Sequence, residues 1–344
     1  MRIKIDWTAC AMALGAAVPR GRLHPAVIAW VEETSPKQTW TVGFSGGVDS
    51  LALLLLLWAH WPEKRVKLTV LHFNHRLRGA ASNRDERFCR EVSQALGIRC
   101  VTAGWMDAPR DASEAEARTA RHTFFKGELK RLRTRALWLG HQQDDVAETM
   151  LMRLARGSGT GGLAAPRPVQ RMPDGRVHLR PLLSLKKAEV VESLRTLGIP
   201  WREDATNDGG KFLRNRMRRD VVPAWLRASK GRDSLAGAAL SRELLEEDDE
   251  ALDAWLLELN PFTKYGALNL RRLAGRPRAL VRRALHRWLA LNVKDVAVSR
   301  QAFNALLNDL MRGRITRHSL GLDGFGKIGK TRLTFEFVRR KLSN

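Results

Sequence analysis

Cysteine is scarce: Cys10, Cys89 and Cys100 are all the chain has. None belongs to a CxxC pair, which argues against a zinc ribbon and a cysteine-held iron–sulfur cluster and leaves three ordinary reduced thiols. Long uncharged apolar stretches are also missing. Leu51–Trp58 is the nearest approach and is far too short to span a bilayer. Internal repeats and low-complexity tracts are absent. Acidic residues are outnumbered, 36 against 60 Lys and Arg, for a net charge of +24. That excess is too large for solubility alone. It points to a polyanionic partner, of which nucleic acid is the commonest, rather than to a membrane. The apolar fraction of 44% is ample for real cores, and 344 residues suit two domains. Residues 1–37 read as a lead-in with a short helix near Pro25–Glu33. Ala9–Val18 faintly mimics a signal peptide, but Asp6 interrupts the pattern.

What is present is organised around Ser45-Gly46-Gly47-Val48-Asp49-Ser50. The apolar run Thr39–Phe44 before it reads as a strand, and Leu51–Trp58 after it as a buried helix. A glycine-rich loop between strand and helix is a phosphate site. Glycines let the backbone come close, and the helix start supplies free N–H groups and a positive dipole end. Ser45 and Ser50 add hydroxyl donors, and Asp49 can orient a metal ion or a backbone amide. The Gly-Lys-Ser/Thr ending of a Walker loop is missing. The pattern resembles instead the PP-loop of the ATP pyrophosphatases, which cleave ATP between the α- and β-phosphates. An ATP-dependent loop implies a cytoplasmic protein.

Further strands are expected at Val66–Phe73, Ile98–Ala103 and Ala136–Gly140, with helices over Ser82–Leu96, Ser113–Leu132 and Gln143–Arg156. Ser113 and Glu116 form a capping box for the second of these helices. This βαβα alternation predicts an α/β fold, a parallel sheet with helices on both faces. Ligands of such sheets sit at the carboxyl ends of the strands. The unusual loops fall there: Ser45–Ser50, then His72–Gly79, then Gly140–Asp145. Gly157–Gly162 is too glycine-rich for helix or strand and reads as a mobile lid or a backbone-amide surface. A helix over Leu185–Leu197 and a basic run Lys211–Arg219 lead to Pro223. The alternation then stops. Helices over 235–259, 277–291 and 299–311 predict a smaller, mainly helical second domain over 224–344. It closes on a small β ribbon, Ile315–Leu322 with Thr331–Val338. The first domain is read as 38–223.

Asp144, Asp145 and Glu148 lie three and four residues apart, so their carboxylates share one face of the first helical turns. Acidic residues are ordinary at a helix start. The strand end before them and His141 beside them raise a functional reading, in which they hold Mg²⁺, anchor an ammonium or take its proton. His72 and His75 flank the end of strand two without an evident third ligand, so nucleotide contact is favoured over a metal site. Arg118 is an odd charge for the positive end of a helix and makes sense facing an anion. The run containing Arg214, Arg216, Arg218 and Arg219 favours phosphate contact.

Taken together, SGGVDS, HFNHRLRG, SEAEAR, GHQQDDVAETMLMRLARGSG, RPLL and EDATNDGGKFLRNRMRRDVVP resemble the tRNA(Ile)-lysidine synthetases, in the same order over residues 38–223. The second half resembles that family's tRNA-binding domain more loosely. The resemblance implies a PP-loop, Rossmann-like fold. It also implies adenylation of the wobble cytidine of the CAU anticodon of tRNA(Ile) by ATP with Mg²⁺, then attack by the ε-amine of free L-lysine. A homodimer is compatible with it. Carried over by motif, Ser45, Gly46, Gly47, Val48, Asp49, Ser50 and His72 would bind ATP, and Asp49 and Asp144 its Mg²⁺. Asp145 and Glu148 would handle lysine, with Arg118 and His141 at the cytidine or adenylate. Asn207, Arg214, Asn215 and Arg218 would close the site and reach tRNA phosphate. Rival readings are another PP-loop enzyme, such as a tRNA thiolase or a small-molecule amide synthetase, and a non-catalytic RNA-binding protein.

Overall fold

The computed structural model describes residues 5–109, 111–203, 213–292, 298–314, 316–320, 324–328 and 334–339. They form two compact units, 1–246 and 247–344. The stretch 224–246, read from sequence with the second domain, therefore counts with the first unit.

In the first unit, helices α1 (Trp7–Ala17) and α2 (Pro25–Glu33) precede strand β1 (Trp40–Gly43). Then come α3 (Val48–His60), β2 (Leu68–Asn74), α4 (Ala80–Ala95), β3 (Arg99–Gly104), α5 (Glu114–Arg131), β4 (Ala136–Trp138) and α6 (Gln143–Leu154). A one-turn helix α7 (Thr160–Leu163) leads to β5 (Val169–Arg171), β6 (Val177–Leu179) and α8 (Lys187–Thr196). After α9 (Leu213–Arg216), a π-helical turn (Met217–Val221) and α10 (Val222–Ala228), the long α11 (Ser234–Leu259) runs into the second unit.

The sheet order is β3-β2-β1-β4-β6-β5, parallel except for β5. The chain leaves β1 for β2 and β3 on one side, then returns to β4 on the other. The crevice at the carboxyl ends of β1 and β4 is thus the switch point where such sheets bind ligands. Strand periodicity assigns the two faces. Trp40, Val42, Val70 and Trp138 join the larger core with α1, α3, α4 and α8, while Leu71 and Leu137 meet Phe125 and Leu129 of α5. Trp40 packs on Trp138 at 4.5 Å and on Trp61 at 5.6 Å between ring centroids.

Three readings change. Asp6, which breaks the signal-like pattern, caps a helix that was not expected, α1, accepting from the Thr8 and Ala9 amides at 3.0 Å. Trp7, Ala11 and Leu14 then enter the main core, so the lead-in is part of the fold. The glycine-rich stretch contains the helical turn α7, closed by the Leu163 amide on the Gly159 carbonyl at 2.9 Å, with Arg153 donating to the Gly162 carbonyl. The β5–β6 hairpin adds two sheet strands that were not expected.

The second unit contains β7 (Leu268–Asn269), α12 (Leu270–Leu273), α13 (Arg278–Asn292) and α14 (Arg300–Arg312), then β8 (Thr316–Ser319), β9 (Gly324–Ile328) and β10 (Thr334–Arg339). Its β part is a four-stranded sheet, β7-β10-β9-β8, rather than a ribbon. Gly326 lies within β9, where Phe335 crosses it; an added Cβ would come to 2.2 Å of that ring. Among the described residues no helix is long and apolar enough to cross a membrane.

Candidate active site at the β1–β4 switch point

The loop after β1 is shaped by its own serines. The Ser45 amide donates to Ser50 Oγ at 3.1 Å, the two hydroxyls lie 3.0 Å apart, and Ser50 Oγ donates to the Gly47 carbonyl at 3.1 Å. Gly46 has φ +86°, a backbone that disfavours a side chain, and a Cβ there would meet Arg202 and Phe88 at 3.2 Å. Gly47 caps α3 without a side chain and Val48 is buried, leaving the helix start open to an anion. Behind the loop, the Arg202 amide donates to the Gly46 carbonyl at 2.9 Å. Arg202 Nε reaches Asp85 at 2.8 Å, and Asp85 also holds Arg78 at 2.7 Å.

From β4, Gly140 passes so close to α3 that a Cβ would lie 2.7 Å from the Asp49 carbonyl oxygen. This contact ties the acidic helix to the phosphate loop. Gln142 Nε2 then donates to Asp49 Oδ1 at 3.1 Å. Asp49 is half-buried, and its carboxyl is pushed up to about 6 by burial and by Asp145, against the fields of Lys187 and Arg218 and the Gln142 bond. Such a carboxylate fits a hard cation that would relieve its charge. No group of three or more His, Cys, Asp or Glu side chains is arranged to hold a metal among the described residues. Mg²⁺ here would therefore take most of its ligands from phosphate and water. Asp144 Oδ2 caps α8, accepting from the Lys187 amide at 2.9 Å.

Asp145 and Glu148 are buried and meet the basic segment directly. Arg214 donates to Asp145 at 2.6 Å and to Glu148 at 2.9 Å; Arg218 donates to Glu148 at 2.6 and 3.1 Å. Asp145 also accepts from the Gln142 amide at 2.9 Å, closing a capping box. Burial works to raise Asp145, but His141, Arg214, the Gln142 amide and Arg218 outweigh it and hold the group below the ordinary carboxylate range. Arg214 and Arg218, expected to face phosphate, thus face these carboxylates. Asn215 is half-buried between them in sequence, and Asn207 lies outside the described residues.

His141 accepts from Arg180 Nε on Nδ1 at 3.2 Å, and burial pushes it well below the ordinary imidazole value. His72 is buried, and its Nδ1 donates to the Phe44 carbonyl at 2.9 Å, which props the entry to the phosphate loop. Arg118 has no hydrogen-bond or ion-pair partner among the described residues. Sequence reasoning missed Gln142, Lys187, Arg180 and Arg202. Their placement depends on which strands and loops become neighbours, although Gln142 and Arg180 lie within the recognised motifs.

In the second unit, Arg283 of α13 is turned onto Asp249 and Asp253, the latter at 2.8 Å, while Arg278, Arg282 and Arg287 are exposed. A cleft there is lined by Trp255, Glu258, Arg271, Arg272 and Arg276.

Residues 24–225 match the model of the PP-loop domain. The chain is 38% identical over 274 residues to a tRNA(Ile)-lysidine synthase of Geobacter sulfurreducens, covering 76% of this chain and 57% of that one. It is 46% identical over 186 residues to the enzyme of the same name from Solibacter usitatus, covering 53% and 40%. For the Pseudomonas syringae enzyme of that name the figures are 36% over 279 residues, 78% and 60%. The chain thus spans about half the length of these relatives. A U34-tRNA thiolase from Methanococcus maripaludis, solved with its [4Fe-4S] cluster, shares the fold at 18% identity and a TM-score of 0.52, over 70% of this chain and 80% of that one.

Proposed function

We propose, from the premise that the chain belongs to the PP-loop domain family, that it joins lysine to C2 of the wobble cytidine in the CAU anticodon of tRNA(Ile), using ATP. One observation carries this reading. Three motifs far apart in sequence meet at one switch point: the phosphate loop, the carboxylates of α6, and the basic segment of α9 and the following turn. A small-molecule synthetase has no need of the +24 charge.

ATP binds with its phosphates against the Ser45–Ser50 backbone and the start of α3. Asp49 would hold Mg²⁺, which would supply charge neutralisation for the departing pyrophosphate. The cytosine O2 attacks the α-phosphorus, the bond to the bridging oxygen breaks, and pyrophosphate leaves. Lysine then attacks C2 through its ε-amine, and AMP leaves with the O2 atom. An ammonium is not a nucleophile until it loses a proton. Asp145 and Glu148 anchor it, and the carboxylate freed of Arg214 or Arg218 accepts that proton. Arg118 and His141 serve the cytidine side of the crevice. The wobble base is unpaired in its loop and enters the crevice without opening a duplex. The exposed arginines of the second unit add salt-dependent RNA affinity.

The test is incubation of the purified protein with ATP, Mg²⁺, labelled lysine and CAU-anticodon tRNA(Ile). Label enters the RNA and AMP appears in equal amount. AMP formation with a small carboxylate substrate, and no labelled RNA, would sink the reading.

A further inference from the structure

The phosphate loop is not the only place in the first unit that calls for an anion. Arg118 and Arg121 are three residues apart on α5 and His122 is four from Arg118, so all three share a face. His122 stacks on His178 of β6, with ring centroids 6.1 Å apart. Just past His178, the buried Arg180 spends its guanidinium on neutral acceptors only: the Arg167 carbonyl at 2.7 Å, Gln170 Oε1 at 3.0 Å and His141 Nδ1 at 3.2 Å. Among the described residues the Nε of Arg121, shut off from solvent, has no acceptor, and Arg118 has no hydrogen-bond or ion-pair partner.

These side chains feel one another. Burial, then Arg118 and Arg214, push Arg121 down to about 10. Burial and Arg118 do the same to Arg180, with Asp145 opposing. Burial and the surrounding arginines lower His122 to about 4 and His178 to about 3, so both rings are neutral near pH 7 and add no positive charge. Among the described residues Glu114 and Asp145 are the acids that act on the arginines, and Asp174 acts on His178; Asp145 already serves Arg214. Arg180 is buried and Arg121 half-buried, while Arg118 is exposed; shielded charge without a counter-charge is costly, and a planar guanidinium fork matches phosphate oxygens.

We propose that Arg118, Arg121 and Arg180 form a second anion site, which holds a phosphodiester of the RNA backbone beside the base being modified. The inference rests on the RNA-modifying reading above. The site lies toward β6 and α5, whereas the phosphate loop lies at β1 and α3. On the reading above ATP claims the loop, which leaves these arginines to the RNA. Holding the linkage next to the target nucleotide fixes where the base enters.

The test is a methylphosphonate scan of the anticodon loop in a fluorescent RNA hairpin, read by direct binding to the full chain, which needs no turnover. One neutral linkage weakens wild-type binding about tenfold or more, the range of a lost charge-assisted contact. Arg121→Gln weakens binding of the unmodified hairpin by a similar factor and is indifferent to that linkage, while Arg121→Lys restores part of the affinity. The absence of any sensitive linkage on wild type overturns the site without recourse to a variant. So does an Arg121→Gln loss that adds independently to every linkage. Loss of inorganic pyrophosphate binding with RNA binding intact would assign the arginines to the leaving group and also overturn it. Failure of lysine incorporation with the linkage effect intact would instead strike only the proposed reaction.

Discussion

Asp49 sits half-buried at the switch point with one amide donor, and its carboxyl is pushed up to about 6 from the ordinary 3.8. Between these values the folded chain holds a proton that the unfolded chain has released. Stability is therefore lost as pH rises from about 4 to about 6, and the full cost persists above that. Two units correspond to about 3 kcal/mol, an upper bound because Asp49 is not wholly shielded from water. Asp49→Asn deletes the charge and keeps the acceptor oxygen for Gln142. At pH 8 the variant should melt higher than wild type, by at most about 6–12 °C for a unit of this size. At pH 4 the two should melt together. Addition of Mg²⁺ with a non-hydrolysable ATP should raise the wild type and leave the variant nearly unmoved, and AMP formation by the variant should vanish. Scanning calorimetry at the two pH values, with and without the ligands, reads all of this. A variant that melts at or below wild type at pH 8, or by a margin independent of pH, would refute the claim that Asp49 carries an uncompensated charge.

Glu148→Gln leaves Arg214 and Arg218 facing a neutral amide in a buried site; the expected loss is about 3 kcal/mol. Faster tryptic cleavage at Arg214 and Arg218 and a lower melting temperature are the readouts, and an unchanged cleavage rate would mean these pairs do not hold the segment down. Gly140→Ala sets a Cβ 2.7 Å from the Asp49 carbonyl oxygen, against backbone that cannot yield. Nucleotide binding by calorimetry should fall sharply, with a stability loss of about 1–3 kcal/mol. Gly127→Ala in α5, where nothing lies within 4 Å, should be neutral or stabilising.

The parts legible in sequence were those encoded locally. A short apolar strand, a glycine-rich turn and an apolar helix identify the loop at Ser45–Ser50, and period-3.6 spacing puts Asp145 and Glu148 on one face. α1 was missed because Trp7–Ala17 is apolar almost throughout and shows no polar face to mark it. The β5–β6 hairpin was missed because its strands are three residues each. Pro173-Asp174-Gly175, with Gly175 at φ +80°, was the available signal. Arg214 and Arg218 read as phosphate ligands because a basic run in a basic chain points outward. Their carboxylate partners lie 66–70 residues earlier, and only the fold brings them together. Arg180 likewise gains its place from β6 pairing with β4.

Asp49 and Asp145 open onto the same crevice, yet their surroundings push them in opposite directions. Asp49 has a neutral amide and is raised; Asp145 has two guanidiniums and a backbone amide and is lowered. A pair of carboxylates separated in this way cannot be interchangeable. The raised one gains most from an arriving cation. The lowered one is already compensated and accepts a new positive group only by giving up an arginine. On the proposed reaction this sets an order. The metal-bound nucleotide can settle on the loop without breaking any ion pair, whereas the amine reaches Asp145 and Glu148 only after Arg214 or Arg218 has moved. An anion that draws those arginines away is what the incoming RNA supplies, so lysine should bind productively after the RNA and not before it.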